Sequence, residues 1–558
     1  MASSAEKPFI VVKEDDLKEI VSDELDRIGT GGKWVWTLFF LCITPNILNG
    51  FHVSSYVLIG HIPEKMWCDI SELKDTNWTP EQIKSITEAD LQTNGCTIRN
   101  WDYTQLAKMS YNMAYNYTNR VIKPNEISCT VKGRYEFSEP ETTFVRDWQL
   151  VCDKSVQRTS AQVAISIGKF LGSFTLGIFA DAYGRKASFI FGSVLFVISS
   201  TLISFTPWYS LFLAGRFGLG VASSGLFYPA FSLLSENISV NHRSWMSIAF
   251  SASYPIGMVI LAVTGYLVQP WRDLQMTLTI PSFLLILNCY LMFESPRWLM
   301  TQNRSAEAYR IVFKKDCDYL IENGPEIVKN KRTDDPAPRS LWQKMKEGPL
   351  KQFIALYGNS NTRRLAFTCY FMFCVTSLSY YVTALNAHNL SVNRFLYVGI
   401  TGMVDIPCFA IPMILLKITG RRNTTMLLYF GAGSALLAVL AVPAGNANLV
   451  VLFAMMGRFG ITAVYSIVTL YTAELFPTAI RNSALGTCST MAHVGSISAP
   501  YVVDILGLLG WYIPTTICGC SVLLASLLTF TLPETSSGNL DHIEDDSEKE
   551  SIKDSEEN

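Results

Sequence analysis

The chain has 558 residues, of which 49% are hydrophobic and 16% charged, and its net charge at pH 7 is −2. A mean hydropathy of +0.23 is unusual for a soluble protein of this length. The small net charge gives no indication of a nucleic-acid partner, and the charges lie in loops and tails, as in chains whose helices cross a membrane.

Residues 1–33 are polar, and their acidic stretch from Glu14 onward is unlike the basic start of a cleaved signal peptide. We therefore expect a retained, cytoplasmic N-terminal segment. A short amphipathic helix lying on the membrane or on the helix bundle is predicted by apolar residues at roughly helical spacing, namely Leu17, Ile20, Val21, Leu25 and Ile28. A solvated tail is the alternative.

A first membrane span is predicted over residues 34–59, and a hydrophilic domain of residues 60–158 follows it. This domain is extracellular if the N-terminus is cytoplasmic. Its four cysteines are Cys68, Cys96, Cys129 and Cys152. An even set in an oxidising compartment predicts two disulfides, but spacing alone leaves three pairings open. The triplets that begin at Asn77 and Asn116 are glycosylation acceptors in the same domain.

Eleven further apolar runs predict spans of similar length. They lie at about 159–180, 187–206, 208–233, 245–268, 273–293, 365–387, 394–417, 424–443, 447–472, 483–507 and 511–532. A basic region separates the sixth span from the seventh, and basic loops lie on the cytoplasmic side. The predicted organisation is an N-terminal bundle (34–293), a cytoplasmic linker (294–362), a C-terminal bundle (363–532) and an acidic disordered cytoplasmic tail (533–558).

Four landmarks of the first half recur in the second half at a nearly constant distance. The pairs are Gly184 and Gly420, Arg216 and Arg458, Glu236 and Glu474, and Arg243 and Arg481, which lie 236, 242, 238 and 238 residues apart. A parallel repeat of two membrane bundles is typical of transporters whose substrate site lies between the halves.

Several motifs together resemble the organic cation, organic anion and carnitine transporters of the major facilitator superfamily, over almost the whole chain. The matching pieces are the cysteine-bearing loop after span one, Gly177-(three residues)-Asp181-(two)-Gly184-Arg185-Lys186, Glu294-Ser-Pro-Arg-Trp-Leu299, Tyr471-Thr-Ala-Glu474-Leu-Phe-Pro477-Thr-Ala-Ile-Arg481-Asn482 and Leu532-Pro-Glu-Thr535. Ala182 departs from the pattern, because many superfamily members carry a basic residue there.

The resemblance implies an all-α membrane protein with twelve transmembrane helices in two pseudo-symmetric six-helix bundles. It also implies a large extracellular loop between helices 1 and 2. An alignment with the loop cysteines of these transporters implies that Cys68 pairs with Cys129 and Cys96 with Cys152.

Two bundles that rock about a central site favour breakable ion pairs at their cytoplasmic ends. The gating candidates are Asp181, Arg185, Glu236, Arg243, Arg421, Glu474 and Arg481. The alternative is that this basic loop only sets the orientation in the membrane. If the pairs are gates, neutralising Asp181 or Glu474 lowers turnover more than surface delivery.

Aromatic side chains suit a substrate site for cations, because cations bind the faces of aromatic rings. The candidates are Phe227, Tyr228, Tyr254, Tyr380, Tyr381 and Tyr465. Ordinary packing is the alternative for each of them. The resemblance favours Tyr380 and Tyr381, since the related transporters carry aromatic residues there in the cavity.

Two polar residues inside spans are further candidates for the substrate site. Asp405 in span eight either attracts a cation or pairs with Arg458, and pairing is favoured because an unpaired acid in lipid is costly. His493 in span eleven stands where the resembling cation carriers have an acid and the anion carriers an arginine. Anion carriers also tend to have a lysine where this chain has Phe409. The loss of both bases weakens the interpretation as an anion carrier, and helix packing is the alternative role of His493.

These features predict a polyspecific plasma-membrane transporter of small organic ions, cations or zwitterions such as amines and carnitine-like compounds. It acts by alternating access within membrane lipid, without covalent chemistry, cofactor or metal; a coupling ion is not identified. The alternatives are an organic anion exchanger of the same family and a non-transporting membrane receptor or scaffold. An ATP-driven pump or a soluble enzyme is not indicated, because the sequence has no Gly-(four residues)-Gly-Lys-Ser/Thr loop and no His-Glu-(two)-His pair.

His493 yields a first test of charge selection. His493→Asp should raise cation uptake and His493→Arg should suppress it, since a cavity charge worth about 1.4 kcal/mol changes binding about tenfold. Uptake normalised to surface labelling measures both effects. Wild-type rates for both variants would assign His493 to helix packing.

Overall fold

The computed structural model describes residues 10–12, 14–62, 66–87, 96–137, 142–314, 319–321, 356–386, 393–443, 446–476 and 478–535. Most of the predicted acidic tail and much of the predicted linker lie outside these ranges. The chain begins with strand β1 (Ile10–Val12), helix α1 (Glu14–Ile28), the first spanning helix α2 (Lys33–Ser54) and its short continuation α3 (Tyr56–Ile59).

Between the first and second spans lies a small domain of short strands and helices. Its elements are β2 (Met66–Ile70), α4 (Pro80–Thr87), β3 (Thr97–Arg99), α5 (Tyr103–Leu106), α6 (Tyr111–Arg120), β4 (Glu126–Ser128), β5 (Gly133–Phe137) and α7 (Phe144–Asp147). Strand β2 pairs antiparallel with β5, and β3 pairs antiparallel with β4. We call residues 60–154 the loop domain.

The first bundle continues with five more spans. Its helices are α8 (Ser155–Tyr183), α9 (Arg185–Phe205), α10 (Tyr209–Asn237), α11 (Val240–Leu267), and the sixth span formed by α12 (Trp271–Thr279) and α13 (Leu284–Leu291). The sixth span is joined by a 3₁₀ turn at Ile280–Phe283 that contains Pro281. Proline cannot donate the helical hydrogen bond, so the helix narrows at this point.

Between the two bundles, the described residues form helices α14 (Pro296–Thr301) and α15 (Ser305–Phe313) and strand β6 (Tyr319–Ile321), which pairs parallel with β1. The second bundle contains α16 (Ser360–Leu385), α17 (Arg394–Cys408), α18 (Ile411–Thr419), α19 (Arg421–Ala438), α20 (Ala447–Leu475), α21 (Thr478–Asp504) and α22 (Ile513–Thr529).

Ten helical segments of the described chain are long and apolar enough to cross a membrane. Two more complete the set of twelve: α22, which has 17 residues, and the eighth span, in which Pro407 separates α17 from α18. The predicted spans agree with these helices to within a few residues. The break in the eighth span was not predicted.

The charged turns of both bundles lie at the same end of the molecule. At one end, Gly184-Arg185-Lys186 and Gly420-Arg421-Arg422 begin α9 and α19; we call this the basic end. The loop domain lies at the other end, where Trp271 Nε1 donates to Asp147 at 3.0 Å and Arg272 forms an ion pair with the same carboxylate at 3.3 Å. These contacts hold the loop domain on the first bundle.

Close glycine contacts set the rotation of the spans. A Cβ at Gly168 would lie 2.2 Å from the carbonyl oxygen of Phe217, and a Cβ at Gly220 would lie 2.2 Å from that of Ile165. Backbones that approach this closely require glycine on both helices, as is common in membrane bundles. The rotation of α8, and with it the direction of the next residue, Lys169, is therefore fixed by its contact with α10.

Helix α1 is amphipathic, as the spacing predicted, and it docks on other protein segments. Leu17, Val21 and Leu25 are buried, and α1 packs against α15. Asp26 accepts a hydrogen bond from Arg297 of α14 at 2.8 Å. The apolar face of α1 is thus covered by the segment that follows the first bundle.

Two disulfides cross-link the loop domain. They join Cys68 to Cys129 and Cys96 to Cys152, the pairing that the resemblance implies. The bridged cysteines are 61 and 56 residues apart in sequence. Closing loops of this length removes much of the entropy of the unfolded chain.

We predict that mass mapping without reduction recovers these two linked peptide pairs from the purified protein. The double variant Cys68→Ser, Cys129→Ser should lower the free energy of unfolding of the loop domain by about 4 kcal/mol, the chain-entropy value for a loop of this size. A peptide that joins Cys68 to Cys96 would overturn the pairing.

Candidate substrate site and gates

The acid and base residues at the basic end of the first bundle form one cluster. Arg185 binds Asp181 at 3.1 Å and Glu236 at 3.0 Å. Glu294, just after the sixth span, accepts hydrogen bonds from the backbone N–H of Arg185 at 2.8 Å and of Lys186 at 3.1 Å. A carboxylate at this position satisfies the free N–H groups that begin α9 and complements the helix dipole.

The second bundle repeats this arrangement. Arg421 binds Glu474 at 3.1 Å, and Glu534 accepts from the backbone N–H of Arg421 at 2.8 Å and of Arg422 at 3.1 Å. Thr535 donates to Glu474 at 2.6 Å. The glycine before each helix, Gly184 in one half and Gly420 in the other, has a positive φ, of 104° and 80°, which an L side chain rarely adopts.

The sequence analysis missed the partners that complete these clusters. Glu294 and Ser295 serve the first bundle as Glu534 and Thr535 serve the second, and Ser295 Oγ donates to Glu236. The two glutamates are 240 residues apart, close to the repeat distance of the other landmarks, so the repeat could have revealed them.

Each of these basic-end ion pairs lies within a single bundle. Asp181 is the weakest member, with 78% of its side chain exposed, whereas Glu236 and Glu474 each expose 23%. Arg481 donates to the carbonyl oxygen of Phe476 at 3.3 Å. Arg243 lies on α11, but its side chain is outside the described residues.

An ion pair that the sequence analysis did not consider joins the two bundles near the loop domain. Arg158 of α8 binds Asp504 of α21 at 2.9 Å, and the two side chains expose only 6% and 8%. Asp504 also accepts from the hydroxyls of Tyr56 at 2.7 Å and Thr159 at 3.0 Å. All of its described partners belong to the first bundle, so this carboxylate closes the loop-domain end.

Asp405 forms a buried ion pair instead of an open cation site. Arg458 binds its two oxygens at 3.0 and 2.6 Å, and both side chains have no exposed surface. Thr462 donates to the same carboxylate at 2.9 Å. The prediction that Asp405 binds substrate is therefore wrong for this conformation, since a fully buried acid in a membrane is stabilised by a counter-ion. The alternative, pairing with Arg458, is what the structure contains.

The aromatic candidates divide into packing residues and residues between the bundles. Phe227 packs among Tyr228, Phe231 and Phe250, at centroid distances of 5.4 to 6.2 Å. Tyr380 covers the Asp405–Arg458 pair, with its ring centroid 4.4 Å from the guanidinium carbon.

The remaining tyrosines come from both bundles and approach one another. Tyr381 and Tyr465 of the second bundle lie 5.4 and 5.9 Å from the ring of Tyr380. Tyr228 and Tyr254 of the first bundle lie near Tyr465. Tyr228 and Tyr465 are 37% and 39% exposed.

His493 lies on α21 at the contact with α8. Its Nε2 is 3.4 Å from Ser173 Oγ, and its ring meets Phe170 edge-on at 6.0 Å. Ser166, two turns away on α8, donates to the carbonyl oxygen of Ser496 at 3.3 Å. His493 is thus a half-buried residue between the bundles, in contact with both.

Lys169 of α8 is the main residue that the sequence analysis overlooked. Its ammonium donates to Tyr381 Oη at 3.4 Å and lies 5.8 and 6.0 Å from the ring centroids of Tyr381 and Tyr254. Lys169 is a base between the bundles in addition to the positions of His493 and Phe409, whose lack of a base weakened the interpretation as an anion carrier. A single lysine inside an apolar run was the available signal.

Within the described ranges, no three His, Cys, Asp or Glu side chains are grouped so that they could hold a metal ion. The charged groups between the helices are instead organised as ion pairs and as the cluster of Lys169 with tyrosines.

The sequence and the fold were compared with known proteins. The family model described as "Sugar (and other) transporter" matches residues 92–546. Solute carrier family 22 member 16 of Homo sapiens is 29% identical over 542 residues, covering 91% of this chain and 90% of the relative. The organic cation transporter protein of Drosophila melanogaster is 29% identical over 525 residues and covers 92% of each chain.

Among solved structures, the inward-open xylose transporter XylE from E. coli has a TM-score of 0.56 at 14% identity, covering 91% of this chain and 99% of that one. This similarity concerns the fold alone. The family match spans more than half of the sequence and covers every span after the first. The chain therefore belongs to the sugar (and other) transporter family, has the major facilitator fold, and is a multi-pass membrane transporter.

Proposed function

We propose that this chain carries small organic ions across the plasma membrane by alternating access, with the substrate bound between the bundles. The single observation that carries the proposal is the buried pair Arg158–Asp504, which connects the bundles at one end, while the described ion pairs of the basic end each lie within one bundle. Such an asymmetry fits a state that is closed at the loop-domain end and free to open at the basic end.

The relatives support organic ions as the substrate class, since one is named an organic cation transporter and others are members of solute carrier family 22. The residues that we assign to the substrate site are Tyr228, Tyr254, Tyr380, Tyr381, Tyr465 and His493, with Phe227 as packing behind them. Aromatic faces and a few polar groups bind many different ions, which suits a polyspecific carrier.

We assign the basic end to the cytoplasm, together with both termini, because basic turns lie inside. The loop domain is then extracellular. This orientation suits its two disulfides, and it exposes Asn77 and Asn116 to glycosylation, since both side chains are exposed.

Treatment with a glycosidase should therefore reduce the apparent mass of the protein from cells, and Asn77→Gln with Asn116→Gln should remove the acceptors.

Uptake into proteoliposomes containing the purified chain tests the proposal. A panel of radiolabelled organic cations, anions and zwitterions is offered with membrane potential and sodium varied independently. Saturable uptake of at least one organic ion supports transport. If no compound enters faster than it enters liposomes without the protein, while the protein still binds other proteins, the receptor or scaffold alternative is favoured.

For the gate at the basic end, we predict that neutralising different acids lowers turnover by different amounts. Glu236→Gln and Glu474→Gln should lower turnover severalfold, because each removes a partly buried partner of an arginine. Asp181→Asn should have a weaker effect, since an exposed pair contributes about 0–1 kcal/mol. Uptake per surface-labelled molecule is the measurement. Surface labelling that falls in full proportion to uptake would show that these residues serve folding.

For the gate at the loop-domain end, we predict that Asp504→Asn opens the space between the bundles at that end. Loss of the pair leaves Arg158 without its counter-ion, so the closed state loses part of its stabilisation. A thiol introduced as Ser166→Cys, below the pair on α8, should then react severalfold faster with a membrane-impermeant reagent.

The double exchange Arg158→Asp, Asp504→Arg provides the matched control, because it restores opposite charges at the two positions. It should return the reaction rate of the introduced thiol towards the wild-type value. Equal rates in the wild type and in Asp504→Asn would contradict the gating role.

A further inference from the structure

Lys169 is a basic residue in the middle of a membrane helix, with no acidic partner among the described residues. It is the fifteenth of the 29 residues of α8. Of the acids inside the described spans, Asp405 is bound to Arg458 and Asp504 to Arg158. Within the part of the chain that the structure describes, the Lys169 ammonium forms no ion pair; its hydrogen bond goes to the neutral hydroxyl of Tyr381. Such a charge is normally retained in a membrane for a function.

The internal repeat makes this lysine more informative. Lys169 lies 236 residues before Asp405, the same distance that separates Gly184 from Gly420. The second half therefore has an acid where the first half has a base. In the second half, Asp405 neutralises Arg458; in the first half, no acid is available at the corresponding position to neutralise Arg216.

Arg216 and Lys169 differ in their burial and in the groups that surround their charges. Arg216 is fully buried, donates to Ser55 Oγ at 3.2 Å and Gln162 Oε1 at 3.4 Å, and lies over the rings of Tyr56 and Phe212. No ligand reaches it. Lys169 is only half-buried, and its ammonium points to the tyrosines between the bundles. Lys169 is thus the cation that a ligand can contact.

We propose that Lys169 and the Tyr381 hydroxyl bind a carboxylate of the substrate, so that this carrier selects small organic carboxylates, including zwitterions. The proposal rests on the function proposed above and specifies its substrate class. A carboxylate has two acceptor oxygens, which suit one ammonium and one hydroxyl donor. The ion pair also neutralises Lys169 while the substrate is bound.

The same geometry disfavours substrates that carry only a positive charge. The ammonium of Lys169 already lies near the faces of Tyr254 and Tyr381, where an organic cation would otherwise bind. A monocation there meets a like charge in a medium of low dielectric constant. A zwitterion avoids this repulsion if its carboxylate meets Lys169 and its cationic group lies against Tyr228 or Tyr465, which are both partly exposed.

The test uses sets of three compounds built on the same frame: a carboxylate, its uncharged primary amide and the corresponding amine. Phenyl and short alkyl frames are used, and the amino acid of each frame supplies the zwitterion. The full chain is reconstituted in proteoliposomes, and initial uptake rates are compared within each set. The wild type should take up carboxylates or zwitterions at least tenfold faster than the matched amides and amines.

Three variants separate the role of the charge from that of the fold. Lys169→Met should reduce carboxylate uptake at least tenfold and abolish the preference for the carboxylate over the amide. Lys169→Arg should retain a substantial part of the carboxylate uptake and of that preference. Lys154→Met is the matched control, because this exposed lysine lies immediately before the same helix. Its uptake profile should equal that of the wild type.

A binding measurement keeps the proposal testable if Lys169→Met fails to fold. Carboxylates that are transported should raise the thermal stability of the detergent-purified wild type, and their amides should not. The proposal is overturned if the wild type prefers amines, if amides stabilise it equally, or if a folded Lys169→Met variant keeps the carboxylate preference. Uptake restricted to amines would leave the proposed transport of organic ions intact, whereas no uptake of any compound would contradict that function itself.

Discussion

The low dielectric constant of the membrane interior is the constraint on which the rest of this structure depends. A charged side chain in mid-membrane costs about 2.5–3.5 kcal/mol on insertion scales, so a charge inside a span is stabilised by an opposite charge or by hydrogen bonds. Asp405 and Arg458 form such a pair within the second bundle, and Arg158 and Asp504 form one between the bundles. Removing one partner of a buried pair costs about 3–5 kcal/mol. In the proposed transport cycle, the pair within the second bundle stays intact and the pair between the bundles breaks when the bundles rock.

The basic end meets a related requirement with backbone donors. Each bundle has a tight glycine turn between two spans, followed by a helix whose first N–H groups need acceptors. Glu294 and Glu534, each in the segment that leaves its own bundle, supply the carboxylates. The neighbouring hydroxyl of Ser295 or Thr535 binds the glutamate that also pairs with the arginine. The chain after the last span of each half is thus part of the gate region of that half.

The fold followed from the sequence because apolar runs and basic turns are local signals. The positions of Gly184 and Gly420 and of Glu236 and Glu474 gave the repeat without any structure. The sequence could not predict which helix faces turn toward each other. Arg158 and Asp504 are more than 300 residues apart, and nothing in their local sequences links them. For Asp405 the sequence left two roles open, and the position of Arg458 on the neighbouring helix decides between them.

Helix α8 connects the three parts of the proposed transport cycle. Arg158 lies 11 residues before Lys169 and Asp181 lies 12 residues after it, which at a rise of 1.5 Å per residue places them about 17 and 18 Å away along the axis. The close contact of Gly168 with α10 ties α8 to its own bundle, so this helix moves with the bundle as a rigid body. The opposite partners, Tyr381 and Asp504, both belong to the second bundle. A ligand held by Lys169 and Tyr381 therefore contacts both moving parts at once, and its binding energy can act directly on the equilibrium between the two open states.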